Sequence, residues 1–233
     1  MSNKKSNLRR SCLTFVVMTI LCFAASYPAS ATELVINGSF ELPSLPGKYE
    51  YVPGGSTVIT GWQTILNGVE WCDLITNASP GSTGTPQDGL LAIDLAPLAF
   101  TGGGIRQDFT TTPGSIYHVS FYGSTVEGAG RDGTGQIDVS VGSIHQSLNV
   151  VNHSLNITWT QLGFDFQATE ATSTLRFENN QNALLHFAFL DNVSVQAVPE
   201  QSSTAPEPAS VILLSLGIAG IAGLRKKFYN RII

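Results

Sequence analysis

Between residues 32 and 200, apolar and polar side chains alternate with period two in short runs separated by turn residues. Over 116–122, Tyr117, Val119 and Phe121 share one face, with His118 and Ser120 on the other. Over 136–141, Ile137, Val139 and Val141 oppose Asp138 and Ser140, and over 158–168, Leu162, Phe164 and Phe166 oppose Gly163 and Asp165. Thr112-Pro113-Gly114, Asp132-Gly133 and Gly54-Gly55 supply turn chemistry between such runs. No stretch shows a 3.6-residue apolar stripe. The spacing predicts strands over 33–36, 58–62, 69–75, 90–95, 105–110, 116–122, 136–141, 158–168, 173–178 and 185–195. Many short strands with turn signals between them indicate an all-β fold, an antiparallel β-sandwich of jelly-roll type.

Two apolar segments frame this domain. Lys4, Lys5, Arg9 and Arg10 precede the apolar run 12–25, and Ala29-Ser30-Ala31 follows as a small-residue cleavage pattern. That order predicts a signal peptide over 1–31, in preference to a permanent membrane helix, because the run is short and a cleavage site follows it. At the other end, Pro206-Glu207-Pro208 closes a polar linker (201–208), the run 209–224 is apolar, and Arg225, Lys226 and Lys227 begin a basic tail over 225–233. As a helix, 16 residues rise roughly 24 Å, short but sufficient for a single span with a cytoplasmic basic stop. A buried terminal helix fits less well, since the linker 201–205 holds nothing to pack it back. A eukaryotic lipid-anchor signal normally lacks the basic end.

Charge is unevenly placed. The segment 32–200 has four Lys/Arg against 16 Asp/Glu, a net −12, whereas the whole chain is only −5. Such a domain repels phosphate backbones, so nucleic acid is excluded as a partner class. It is rich in the oxygen ligands preferred by hard cations. Cys12 and Cys22 fall in the leader, leaving Cys72 alone and no disulfide within the domain. The fold must therefore hold by its core. One acidic residue is out of step. In 187–195, a strict alternation places Asp191 on the row of Phe187, Phe189, Val193 and Val195. A carboxylate in a core row needs a cation, or else the strand bulges there and resets the parity or Asp191 caps a loop.

The C-terminal order of Pro206-Glu207-Pro208, a glycine-bearing apolar run and an Arg-Lys-Lys stop resembles the PEP-CTERM sorting signal of Gram-negative bacteria. The resemblance implies an exosortase-type sorting enzyme as a partner. It also implies an inner-membrane intermediate held by the C-terminal segment, then delivery to the cell envelope or extracellular matrix. Within the domain, a series of short motifs runs in order. These are Asn37-Gly38-Ser39-Phe40-Glu41, Gly61-Trp62, Val69-Glu70-Trp71, Asp88-Gly89, Ile93-Asp94-Leu95, Gly104 to Phe109, Thr112-Pro113-Gly114, Phe164 to Ala168 and Leu190 to Val195. This series resembles the choice-of-anchor C family of exported domains, related to the plant cell-wall domain of unknown function 642 and to galactose-binding-like modules. The resemblance implies a galactose-binding-like jelly roll associated with extracellular or cell-wall polysaccharide. It also implies a structural calcium held by Glu41 and Asp191, with backbone carbonyls near Ser39 completing its shell. The chain departs from the family pattern at 123–127 and at Ala188-Phe189.

Sugar sites stack aromatics on pyranose faces while polar groups take the hydroxyls. Tyr49 and Tyr51, in an expected exposed loop over 43–56, and Trp71 are the ligand-binding candidates, although a tryptophan within a strand is more often core. Glu70, Asp73 and Asp94 offer carboxylate pairs of the kind a glycosidase needs. The histidines lack zinc spacing, and no nucleophile elbow or phosphate loop is present. The expected function is an exported, non-catalytic module that binds polysaccharide. The alternatives are a structural surface protein with a protein partner and, less favoured, a glycan hydrolase.

Overall fold

The computed structural model describes residues 32–46, 49–73, 83–97, 102–128 and 130–199. The leader over 1–31, the linker with Pro206, Glu207 and Pro208, the run 209–224 and the basic end with Arg225, Lys226 and Lys227 lie outside the described residues. Among the described residues, no helix is long and apolar enough to cross a membrane.

In chain order the strands are β1 (Tyr49–Val52), β2 (Gln63–Leu66), β3 (Val69–Cys72), β4 (Ala92–Asp94), β5 (Gly103–Thr110), β6 (Ile116–Ser124), β7 (Glu127–Gly128), β8 (Arg131–Asp132), β9 (Thr134–Val141), β10 (Ile144–Val151), β11 (Thr160–Gln167), β12 (Thr172–Asn179) and β13 (Phe189–Ala197). One sheet runs β1-β3-β4-β13-β6-β11 and the other β10-β9-β12-β5-β2, with β7 and β8 forming a small hairpin. The pairings between named strands are antiparallel. Successive strands cross from sheet to sheet at β1–β2, β2–β3, β4–β5, β5–β6, β10–β11, β11–β12 and β12–β13. That connectivity belongs to a sandwich and not to a meander.

The period-two faces form the interior. Tyr117, Val119 and Phe121 of β6 and Leu190, Val193 and Val195 of β13 meet Ile137, Val139 and Val141 of β9 and Leu175 and Phe177 of β12. At its centre, Phe177 lies edge-on to Phe121 with centroids 4.9 Å apart, and tilted against Trp62 at 6.4 Å. A second, smaller cluster lies on the other face of the six-stranded sheet. Cys72, Ala92 and Phe189 alternate with core residues of their strands, and they pack with Val126, Ile157, Ala183 and Phe187. Val126 and Phe189 belong to the two segments that depart from the family pattern, so those departures supply part of this covering layer.

Several expected elements differ. Residues 33–36 make only an isolated bridge, Glu33 with Gln196. Residues 58–62 form a turn whose Ile59 and Trp62 plug the core without pairing to a strand. Tyr49 and Tyr51 sit on edge strand β1 and not in a loop. The last strand begins at Phe189, and its register shifts between Asp191 and Ser194. Phe189 therefore points to the second cluster, and Val193 and Val195 to the main core. The single row read through Asp191 does not exist; the bulge divides it.

Phe177 is fully buried between two aromatic neighbours. Phe177→Ala is expected to cost about 3–5 kcal/mol, read as a lower urea midpoint at unchanged slope.

Candidate functional site

The pentapeptide Asn37-Gly38-Ser39-Phe40-Glu41 builds the first part of the site by coiling tightly on itself. Asn37 (φ 56°) and Phe40 (φ 61°) both adopt left-handed backbone, unusual for a buried phenylalanine and therefore held by its surroundings. The Phe40 amide donates to Asn37 O at 3.1 Å. The Asn37 side chain accepts from Leu42 N (3.0 Å) and donates to Leu42 O (2.8 Å) and Thr60 O (3.0 Å). Gly38 is pressed against the bulge of β13, where a Cβ would strike the Val193 carbonyl while Val193 N donates to Gly38 O at 2.9 Å.

Two tryptophans seal this turn from beneath. Trp62 Nε1 donates to Asn37 O at 3.0 Å and Trp71 Nε1 to Phe40 O at 2.9 Å. Trp71 is 1% exposed, so it is a core residue and not a sugar-stacking platform. That corrects its place among the ligand-binding candidates. The physical reason is that its ring is enclosed by the main core and its indole N–H is taken by Phe40 O, so no face is open to a sugar.

Glu41 leaves this turn and grips the segment ahead of β4. Its Oε1 accepts the amides of Leu90 and Leu91, each at 2.8 Å. From the other end of the chain, Asp191 Oδ2 accepts the amides of Gln87 (2.7 Å) and Asp88 (3.1 Å), and Oδ1 that of Asn192 (2.6 Å). Asn192 Nδ2 adds a bond to Gln87 Oε1 at 2.6 Å. Gly89 (φ 69°) sits between the two grips, and any side chain there would collide with the Glu41 carboxylate. Residues 87–91 are thus clamped by two carboxylates that lie 150 positions apart in sequence. Burial pushes the Asp191 carboxyl up to about 7, against the pull of its three amide donors.

Neither carboxylate has a Lys or Arg partner among the described residues. Glu41 Oε2 accepts no hydrogen bond there. The donor chemistry therefore fits a hard cation, with one open carboxylate oxygen beside a buried acid that lacks a counter-charge. No group of three or more His, Cys, Asp or Glu side chains converges among the described residues, so backbone carbonyls would have to supply the rest of a shell.

The clamped segment forms one wall of a pocket of about 420 Å³. Glu41 and Asp73 contribute carboxylates to it and Ser44 and Thr85 hydroxyls, while Leu45 and Leu90 are apolar. Leu90 is 74% exposed at the rim. The pocket opens where β3 ends and β4 begins, since Cys72 pairs with Ala92 at that end. Trp159 borders the same region, donating Nε1–H to Thr85 O at 2.9 Å.

A second constellation crosses the outer face of the six-stranded sheet. Tyr51 lies opposite Glu70, Glu70 opposite Asp94, Asp94 opposite Phe189, and Phe189 opposite Ser124. This row joins one tyrosine candidate to two of the carboxylates singled out from sequence; Asp73 lies apart from them, in the pocket. Tyr49 packs on the cluster beside the row, and burial together with the Glu70 charge and hydrogen bond pushes its hydroxyl up to about 12. Burial, reinforced by the Glu70 charge, holds the Asp94 carboxyl well above the usual range. The Arg131 guanidinium, from hairpin β7–β8, stands 3.1 Å above the Phe187 ring centroid and draws on both carboxylates electrostatically. Tyr51 hydroxyl is tied to Asn67 O at 2.9 Å. Glu70 and Asp94 are 5% and 0% exposed, so this face is a roofed polar layer and the open pocket lies at its end.

The chain belongs to the DUF642 family, a group described as proteins of unknown function, whose model matches residues 33–196. Residues 204–227 match the PEP-CTERM protein-sorting motif, an address for export to the cell envelope or extracellular space. No curated protein matches the chain. Among solved structures it is similar to a stig cyclase from Fischerella sp. TAU, with 16% identity, 73% of this chain and 99% of that one covered, and a TM-score of 0.49. It is also similar to a family 61 carbohydrate-binding module in complex with beta-1,4-galactotriose, with 14% identity, 72% and 99% coverage, and a TM-score of 0.46. A third is the xylan-binding CBM22-1 domain of Paenibacillus barcinonensis, with 12% identity, 64% and 92% coverage, and a TM-score of 0.40.

The raised Asp191 carboxyl has a consequence for stability. The folded chain keeps this proton at pH values where an unfolded aspartate, near 3.9, has released it. Its contribution to metal-free stability is therefore largest below about pH 4 and declines as pH rises through about 7. Asp191→Asn is expected to flatten that decline in chelator-treated protein, read from melting temperatures between these limits.

Proposed function

We propose that the domain is an exported, non-catalytic module that binds extracellular or cell-wall polysaccharide in the pocket walled by residues 87–91. The observation that carries this is the pocket's donor set. Glu41 and Asp73 accept from hydroxyls, Ser44 and Thr85 donate or accept, and Leu45 and Leu90 offer apolar surface to a sugar ring. Two carboxylates in a domain of net −12 disfavour anions at this position, so the ligand fitted here is a neutral, hydroxyl-rich chain. The sorting motif at 204–227 supports the setting, with an exosortase-type enzyme as processing partner and the envelope polysaccharide nearby. Tyr49 and Tyr51, half-buried on the edge strand, fit better as flanking contacts than as the primary platform.

A calcium ion at Glu41 and Asp191 belongs to the same reading as a structural aid. It would neutralise the two carboxylates that hold the pocket wall, and it requires Asp191 to be ionised. Chelation is therefore expected to lower the melting temperature at pH 8 and to leave it unchanged at pH 5; equal curves at both pH values would remove calcium from the account.

Affinity electrophoresis of the intact chain through gels holding neutral galactan, xylan or glucan tests the binding reading. Retardation on one polymer is expected, and Leu90→Glu should weaken it about tenfold, since that side chain is exposed and its amide stays bound to Glu41. Absence of retardation on every polymer would sink the reading in favour of a protein partner. Release of reducing sugar that disappears in Glu70→Ala or Asp94→Ala would contradict the non-catalytic part.

A further inference from the structure

The outer face of the five-stranded sheet carries a row that only the strand register makes visible. Gln63 lies opposite Arg106, Arg106 opposite Arg176, Arg176 opposite Ser140, and Ser140 opposite His145. Two of the four Lys/Arg residues in 32–200 thus face each other on adjacent strands, in a segment with 16 acids. Neighbouring strands lie about 4.8 Å apart, and like charges directly opposite destabilise a sheet.

The two arginines are not equally compensated. Arg176 places Nε and Nη2 on Glu178 Oε1, at 3.0 and 2.5 Å. Arg106 places the same two atoms on Gln63 Oε1, at 2.9 and 2.7 Å, and that partner is a neutral amide. The other carboxylates on the face have donors of their own. Asp108 takes the Thr174 hydroxyl at 2.6 Å, and Asp138 takes the Ser147 hydroxyl and the Asn180 amide. A guanidinium has five N–H donors in a planar fork, so both arginines keep donors to spare. Arg106 also borders an open groove of about 390 Å³, with Thr57, Gly61, Gln63 and Asp108 among its walls.

We propose that the facing Arg106–Arg176 pair is a subsite for a single anionic group, a carboxylate or sulfate, carried on an extracellular polysaccharide. An oxyanion reached by the spare donors of both would relieve their repulsion and take charge-assisted bonds from each. The flanking acids set the selectivity. Asp108 on one side, and Glu178 and Asp138 on the other, repel a densely charged polymer but leave room for isolated acidic groups along a neutral chain. The polymer class rests on the glycan reading above, whereas the residues and the sheet are different.

The test is affinity electrophoresis of the intact chain in glucuronoxylan, whose acidic groups are spaced along a neutral backbone. Its carboxyl-reduced form, a sulfated galactan and neutral galactan serve as the other arms. The expected result is retardation on glucuronoxylan that weakens with added salt and with carboxyl reduction. Arg106→Gln and Arg176→Gln should each cut affinity about tenfold without altering migration in neutral galactan, and Arg106→Lys should restore part of it. Retardation on the sulfated galactan that also depends on both arginines would uphold the pair and identify sulfate as the group it takes. Equal retardation on native and reduced glucuronoxylan, or no change in Arg106→Gln, would overturn the proposal. Arginine-dependent retardation on glucuronoxylan with none on neutral galactan, xylan or glucan would sink the pocket reading and leave this one standing.

Discussion

Everything near the pocket depends on a short piece of backbone that makes no strand of its own. Residues 87–91 expose amide N–H groups that no sheet partner satisfies, and a wall built from such a segment is stable only if acceptors are brought to it. Glu41 and Asp191 are those acceptors, holding four of its amides between them. Each carboxylate is placed by a strained or irregular feature. Left-handed Asn37 and Phe40 aim Glu41, and the bulge of β13, with left-handed Asn192, aims Asp191. Gly38 and Gly89 keep the space clear at the two closest approaches. The opening motif and the closing strand are therefore one device, assembled from both ends of the domain.

Much of the sandwich was legible in sequence because its interior rows alternate without interruption. Tyr117, Val119 and Phe121, and likewise Ile137, Val139 and Val141, face the core as the periodicity requires. Edge strands were harder. β1 has four residues, and β10 presents Gln146 in the row of Ile144 and Leu148, so neither offers a clean stripe. Residues 58–62 misled in the opposite sense, since burial of Ile59 and Trp62 imitates a strand although the backbone turns.

The site was legible only in part. Asp191 stood out as a carboxylate in an apolar row, and the bulge that places it was one of the two readings of that anomaly. Its amide partners at 87 and 88 lie too far along the chain for any local pattern to reveal. Trp71 drew notice as an aromatic, but its carbonyl partner, Phe40 O, is 31 residues away. The Glu70–Asp94 and Arg106–Arg176 pairings depend on register between strands that are distant in sequence, and spacing along one chain cannot encode that.

Glu41 and Asp191 hold residues 87–91 in place as the pocket wall. Amide hydrogen exchange at Gln87, Asp88, Leu90 and Leu91 reads out that hold. All four are expected to show protection comparable to that of strand amides, with Gln87 and Asp88 losing it in Asp191→Ala and Leu90 and Leu91 losing it in Glu41→Ala. Fast exchange at these amides in the unaltered chain, or protection that survives both substitutions, would contradict it.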